Sequence, residues 1–293
     1  MNIDKPGIYE VSASDYHRTE ICVGPSISSS GLRTVADCPA KYWFNSPLNP
    51  NRPPESSASH FNLGKAAHDL ILDGAGWPDR YHVLPEGFTR AATKKYAAEI
   101  LAAEEAETTG KTLLKFDEYA AVVDMADAIR KHPIHKALGR GKAEPTIVWQ
   151  DKETGVWLRC RPDFLPANNW AVPDYKTTVS ARPDDFSRSV MDYGYHQQAA
   201  LYLDGIEAVF GPLPNGQLRQ FYFIAQEKTA PYIVQPFALD GEAVEWGRRL
   251  NRKAIRTFAR CLETGHWPGY ADDFVTIGLP RWKVGQLEQT FTE

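Results

Sequence analysis

Residues 159–178 read RCRPDFLPANNWAVPDYKTT, and the reading of this stretch governs the rest of the chain. It continues VWLRCRP (156–162) and contains NWAVPDYKT (169–177), both rich in β-branched and aromatic residues that alternate with polar ones, as strands do. Between them, residues 166–169 have the Pro and Asn content of a turn. Asp163 closes the first strand. Asp174 and Lys176 stand two apart on the second, so they project from one face. A two-residue turn at Asn168-Asn169 would set Asp163 directly across from Asp174, with Cβ atoms about 5 Å apart. Two carboxylates that close repel each other unless something neutralises them. Hard oxygen donors of this kind suit Mg²⁺ or Mn²⁺.

Working outward, TIVWQ (146–150) is a further strand, followed by a helix over 183–210 and strands at 221–227 and 232–239. A last helix covers 241–265, and the tail after Trp267 has no pattern. Upstream, residues 1–25 are irregular apart from an extended piece near 7–11. Serines at 26–30 offer N-caps to a helix over 30–44. Residues 45–59 form a Pro- and Ser-rich loop, a helix covers 61–72, and Ala-rich stretches at 90–108 and 116–132 form a helical lobe. The expected fold is α/β: a mixed central β-sheet flanked by helices, with an N-terminal helical elaboration. One domain spanning 1–293 is expected. It comprises a mostly helical part (1–140), the sheet core that carries the acids (141–240), and a C-terminal helix and tail (241–293).

Composition narrows the class. The chain has 293 residues, 43% hydrophobic and 24% charged, which marks a globular protein. Its net charge of −4 excludes a generically basic DNA-coating protein but leaves room for a local basic patch. No apolar run approaches the ~18 residues of a membrane span. No signal pattern opens the chain, so a cytoplasmic location is expected. The four cysteines include no CxxC pair, which argues against a disulfide framework or a zinc knuckle. The absence of GxxxxGK[ST] argues against an ATPase and a nucleotide cofactor.

The chemistry that two carboxylates and a lysine suit is metal-assisted phosphodiester hydrolysis. A metal lowers the pKa of a bound water and stabilises charge on the phosphorane-like transition state. Lys176 could orient that water, help deprotonate it or stabilise the developing charge. Arg159 and Arg161 share a strand face with Asp163 and are candidates to bind phosphate. Glu144, just before the first core strand, reads equally as a metal-reaching acid or a surface residue. In the last helix Arg248, Arg252 and Arg256 form one i, i+4 row. That row reads equally as a track for a phosphate backbone or a solvated face.

The RPD and DYK segments together resemble the PD-(D/E)xK nuclease superfamily, with Asp163, Asp174 and Lys176 in the motif positions. Three further segments resemble its RecB-like branch: FNLGKAAHDL, with Gly64 and His68; YHQQAALYLDG, with Gln198 and Tyr202; and SISSSGLRTVADCPAKYWF. The resemblance spans roughly residues 26–205 and is greatest to exonuclease VIII (RecE-type) domains of phages and prophages. It implies a restriction-endonuclease-like core. Mg²⁺, replaceable by Mn²⁺, would be held by Asp163, Asp174, His68 and the backbone carbonyl of Tyr175. Gln198 and Tyr202 would shape the site or touch DNA, with Gln197 as the alternative glutamine. Apart from the resemblance, Ser28, Ser30 and Arg33 are candidates to bind a DNA end near the first helix. The resemblance further implies 5′→3′ digestion of linear double-stranded DNA that leaves 3′ single strands for an annealing protein, and a homo-oligomeric ring. Some RecB-like nucleases hold an iron–sulfur cluster on one early and three late cysteines. Here only Cys261 lies late, so no cluster is expected. Competing readings are a single-strand or structure-specific enzyme like Cas4 or RecB, a catalytically silent DNA-binding subunit, and an HD-type phosphohydrolase built on His68-Asp69. For the last, no convincing set of further ligands is found.

Overall fold

The run TIVW at 146–149 is buried throughout, as a strand covered on both faces must be, and the strand that follows is buried along its whole length. A computed structural model describes residues 1–18, 20–54, 63–72, 74–137, 140–271 and 273–291. In chain order its strands are β1 (Gly7–Tyr9), β2 (Ser26–Ile27), β3 (Tyr81–Val83), β4 (Thr112–Leu114), β5 (Gly141–Ala143), β6 (Thr146–Gln150), β7 (Trp157–Cys160), β8 (Phe164–Pro166), β9 (Ala171–Thr178), β10 (Gln220–Glu227) and β11 (Val234–Ala238). The helices are α1 (Ala13–Arg18), α2 (Ser29–Asp37), α3 (Pro39–Asn45), α4 (Leu63–Leu72), α5 (Trp77–Arg80), α6 (Ala97–Thr108), α7 (Phe116–Lys131), α8 (Ile134–Ala137), α9 (Pro183–Asp192), α10 (Tyr195–Phe210), α11 (Gly241–Thr264) and α12 (Arg281–Thr290).

The expected α/β fold with a mixed sheet and flanking helices is what forms. One ladder runs β1-β6-β7-β2 and the other β11-β10-β9, each containing parallel and antiparallel pairs. Residues 1–140 are not helical alone, since β1 and β2 are the outer strands of the first ladder. Small sheets β3-β4 and β5-β8 lie beside these. The main core gathers Ile147, Leu158, Phe221 and Phe223 from the strands with Phe186, Ala200, Leu201 and Phe258 from the helices. Each such side chain contributes about 1.5–3 kcal/mol on burial. α10 is buried on most of its circumference because it packs between the sheet, α2 and α11. Its approach to α11 needs Gly247, where a Cβ would stand 2.2 Å from the His196 carbonyl oxygen.

Several expectations need correction. The helix over 30–44 is two helices, because Pro39 restricts Cys38 to an extended conformation (φ −162°). The helix over 183–210 also breaks, at Gly194, whose φ of +64° suits glycine. The Ala-rich stretch from 90 becomes helical only at Ala97, and the tail contains α12. The Asn168-Asn169 turn exists in the sense that Asn169 has φ +43°, yet it joins no hairpin. β8 pairs with β5, and β9 pairs in parallel with β10. Of the 45–59 loop, residues 55–59 lie outside the described residues, as do 61–62 of the next helix. No helix among the described residues is long and apolar enough to cross a membrane.

Candidate active site

β9 presents Asp174 and Lys176 on one face, as two-residue spacing in a strand requires. Asp174 is 1% exposed, and its carboxylate is ion-paired with the Lys176 ammonium. Gln198 of α10 donates from Nε2 to Asp174 Oδ1 at 2.7 Å. Asp163 reaches the same place from the segment between β7 and β8, where its Oδ2 accepts the Tyr175 backbone N–H at 2.7 Å. His68 of α4 brings Nε2 to 3.1 Å from Asp163 Oδ1. The next residue, Asp69, turns toward the helical lobe. Its Oδ2 accepts from the Tyr81 hydroxyl at 2.8 Å, while its Oδ1 lies 3.6 Å from His68 Nδ1.

The charges explain one another. Burial pushes the Asp174 carboxyl up to about 6. The Lys176 charge opposes that shift, and the neighbouring Asp163 charge adds to it. Burial acts on Asp163 in the same sense, but the His68 hydrogen bond and charge, Lys176 and the Tyr175 N–H outweigh it and hold the acid low. Burial disfavours a charged Lys176 too, yet Asp174 and Asp163 overcome it and raise its pKa. For His68, hydrogen bonds to Asp163 and Asp69 overcome burial and raise the ring to about 10. The site is therefore two acids, Asp174 buried and Asp163 half-buried at the cavity, facing two cations.

The remaining predicted residues divide into those near this set and those elsewhere. Glu144, at φ +46°, donates its backbone N–H to the Asp163 carbonyl at 3.0 Å, and its carboxylate meets Arg161 at 3.2 Å. Arg161 also donates to the Val11 carbonyl at 2.6 Å, and the Tyr202 hydroxyl donates to the Arg161 carbonyl at 3.2 Å. A cavity of about 280 Å³ opens here, lined by Ser28, Ser30, Arg33, Glu144, Asp163 and Gln198 among others. Gln197 does not enter it. That residue is buried, and its carbonyl accepts from Asn251 at 2.8 Å.

Arg159 is buried, donates to Ser26 Oγ at 2.5 Å and lies 3.7 Å from Glu20, so its guanidinium is turned inward rather than toward a phosphate. The arginine row of α11 is matched by acids: Arg248 with Asp204 at 2.8 Å, Arg252 with Asp151 at 2.8 Å, and Arg256 with Glu153 at 2.6 Å. Asp151 and Glu153 precede β7 and Asp163 follows it, so the row faces the other end of that strand. Sequence reasoning missed Tyr81 and Gln226, which hold Asp69 and Tyr175. No spacing pattern links either residue to the acids.

The donor chemistry fits a hard divalent cation. Both acids offer oxygens, and the buried Asp174 Oδ2 is held by the Lys176 ammonium, a positive charge on the oxygen that a cation would also use. Among the described residues, no three His, Cys, Asp or Glu side chains are drawn together as a ligand cluster. In this arrangement the Lys176 and His68 cations offset the acids.

The sequence profile of a PDDEXK-like domain of unknown function (DUF3799) matches residues 28–276. Among solved structures, a putative exonuclease from Eubacterium rectale is similar with 10% identity and a TM-score of 0.55, over 94% of this chain and 98% of that one. A phage-related exonuclease from Haemophilus somnus 129PT has 10% identity and a TM-score of 0.30, over 71% of this chain and 98% of that one. An alkaline exonuclease from Laribacter hongkongensis has 13% identity and a TM-score of 0.27, over 68% and 91%. The first is a likeness of fold, and the other two carry no argument. No curated protein matches the chain.

Proposed function

The chain belongs to the PDDEXK-like family DUF3799, and from that membership we propose that it is a divalent-metal-dependent deoxyribonuclease. The observation that carries the reading is the meeting of Asp163, Asp174 and Lys176, which come from two chain segments and are held by Gln198, Tyr175 and His68. Asp163 and Asp174 would hold the cation, and the Tyr175 carbonyl and His68, once it has given up its proton, would complete the shell. When bound, Mg²⁺ or Mn²⁺ lowers the pKa of a water and offsets charge on the phosphate. Lys176, paired with Asp174 at the site, would stabilise the negative charge that develops on the phosphate. Gln198 fixes one Asp174 oxygen and Lys176 holds the other, so the cation would share Asp174 with Lys176. Glu144 keeps Arg161 beside the cavity, where Arg161 meets the DNA backbone.

The finer reading is an exonuclease on linear double-stranded DNA, running 5′→3′ and leaving 3′ single strands for an annealing protein. The RPD, DYK, GKAAH and QAALY segments support it through their resemblance to exonuclease VIII, and the fold shared with the putative exonuclease from Eubacterium rectale is consistent with it. A single domain, a homo-oligomeric ring and a phage or prophage origin belong to the same reading. Asp69 faces Tyr81, which leaves the HD-type reading without support. The test is digestion of linear duplex labelled separately at its 5′ and 3′ ends, beside nicked, single-stranded and closed circular DNA. Loss starting at 5′ ends with circles untouched is expected. Cleavage of circles, or of single strands alone, overturns the exonuclease VIII reading.

A further inference from the structure

The two acids come from segments that share no ladder. β10 pairs β9 along one side, while β8, which follows Asp163, pairs with β5. Sheet register therefore does not set Asp163 against Asp174. What joins them is the Tyr175 N–H, donated to Asp163 Oδ2. Tyr175 itself is held through its side chain. Its ring packs with Ile129 of α7 and Ile224 of β10, and its hydroxyl donates to Gln226 Oε1 at 2.6 Å. Gln226 is fully buried, and its Nε2 donates to the Met125 carbonyl of α7 at 2.9 Å and to the Tyr232 carbonyl at 3.3 Å. The acceptor and both donors of this one amide are thus engaged, each by a different segment. An apolar residue in its place would leave the buried Tyr175 phenol without its acceptor and cut the link to α7.

We propose that Gln226, acting through Tyr175, is a positioning residue that sets the Asp163 carboxylate against Asp174 and so governs how tightly the pair holds a divalent cation. This rests on the reading of the two acids as the metal-holding pair. The brace does the work that the missing hairpin would have done. It also ties the site to α7, so the helical lobe, which supplies His68 from α4, bears on the geometry of the acids.

The experiment is calorimetric titration of the full chain with Mn²⁺ at fixed pH. The proteins are wild type, Tyr175→Phe, Gln226→Leu, the double variant, Asp174→Ala, and Ile147→Ala as a core variant remote from the brace. Tyr175→Phe and Gln226→Leu are each expected to weaken Mn²⁺ binding about 10-fold, as groups that orient metal ligands do. The double variant is expected to bind no more weakly than the worse single one, because both break the same chain of contacts. Ile147→Ala is expected to bind as wild type does. Unchanged affinity in Gln226→Leu and Tyr175→Phe, with binding lost in Asp174→Ala, would overturn the brace and leave the metal reading standing. An equal loss in Ile147→Ala would also overturn it, as general destabilisation. No uptake by wild type would overturn the metal reading itself. If Gln226→Leu does not fold, Tyr175→Phe, which removes one hydroxyl, decides alone.

Discussion

Lys176 lies beside the buried Asp174 and the half-buried Asp163, both of which favour its charged form, and this makes its substitution informative. Lys176→Met keeps much of the length and removes the charge. Cleavage is expected to slow on the order of 10²–10³-fold, the usual loss for one electrostatic partner of a transition state. A steady-state rate within a few-fold of wild type would contradict the role. Gln198→Ala deletes the 2.7 Å bond to Asp174 Oδ1. Metal affinity should drop roughly 10-fold, because groups that orient a ligand tune it. Gln197→Ala, one residue away, is expected to leave metal affinity alone and act on stability through loss of a buried side chain. Parallel Mn²⁺ titrations of the two variants check this directly, and reversed results would contradict it. Neither the choice between the adjacent glutamines nor the nearness of His68 to Asp163 could be read from spacing. Both depend on how α10 and α4 lie against β9.

α11 depends on contacts made by other elements, and two substitutions test them. Gly247→Ala forces a methyl against the His196 carbonyl, which backbone cannot avoid cheaply. A loss of about 1–3 kcal/mol is expected, as for overpacking elsewhere, and thermal unfolding measures it. An unchanged Tm would show that the two helices are not so close. Asp151 ties α11 to the β6–β7 turn. It accepts from the Thr154 N–H at 2.9 Å and hydroxyl at 2.8 Å, and pairs with Arg252. Burial raises its pKa, but those bonds outweigh burial and leave the carboxyl below its usual value. A depressed acid stabilises the fold above its ordinary pKa, and that stabilisation is lost as pH falls through the folded value. Asp151→Asn is therefore expected to lower Tm at pH 7, by about 1–3 kcal/mol of stability. The difference should begin to shrink below about pH 4, the ordinary aspartate value, and disappear only as pH falls through the lower folded value. Parallel curves across the acid range would contradict this. The arginine row also shows where sequence reading stops. Periodicity correctly placed Arg248, Arg252 and Arg256 on one face, but the acids opposite them come from distant segments, which periodicity cannot see.

Across the molecule, the strands at 146–150, 157–160 and 171–178 and the Asp163–Asp174–Lys176 set could be read in advance, because alternation and residue type are local signals. The pairing of β8 with β5 could not, since a three-residue strand carries too little pattern to choose its partner. The consequence is functional: the acids meet through Tyr175 and its neighbours rather than through a hairpin. The most direct measurement is the rate of digestion of linear duplex DNA by wild type and Asp174→Asn, with Mg²⁺ and with EDTA. The account predicts Mg²⁺-dependent digestion by wild type, silence in EDTA, and a loss on the order of 10³-fold or more in a folded Asp174→Asn. Digestion that persists in EDTA, or in Asp174→Asn at the wild-type rate, would contradict it, as would wild type that digests no DNA with any divalent cation.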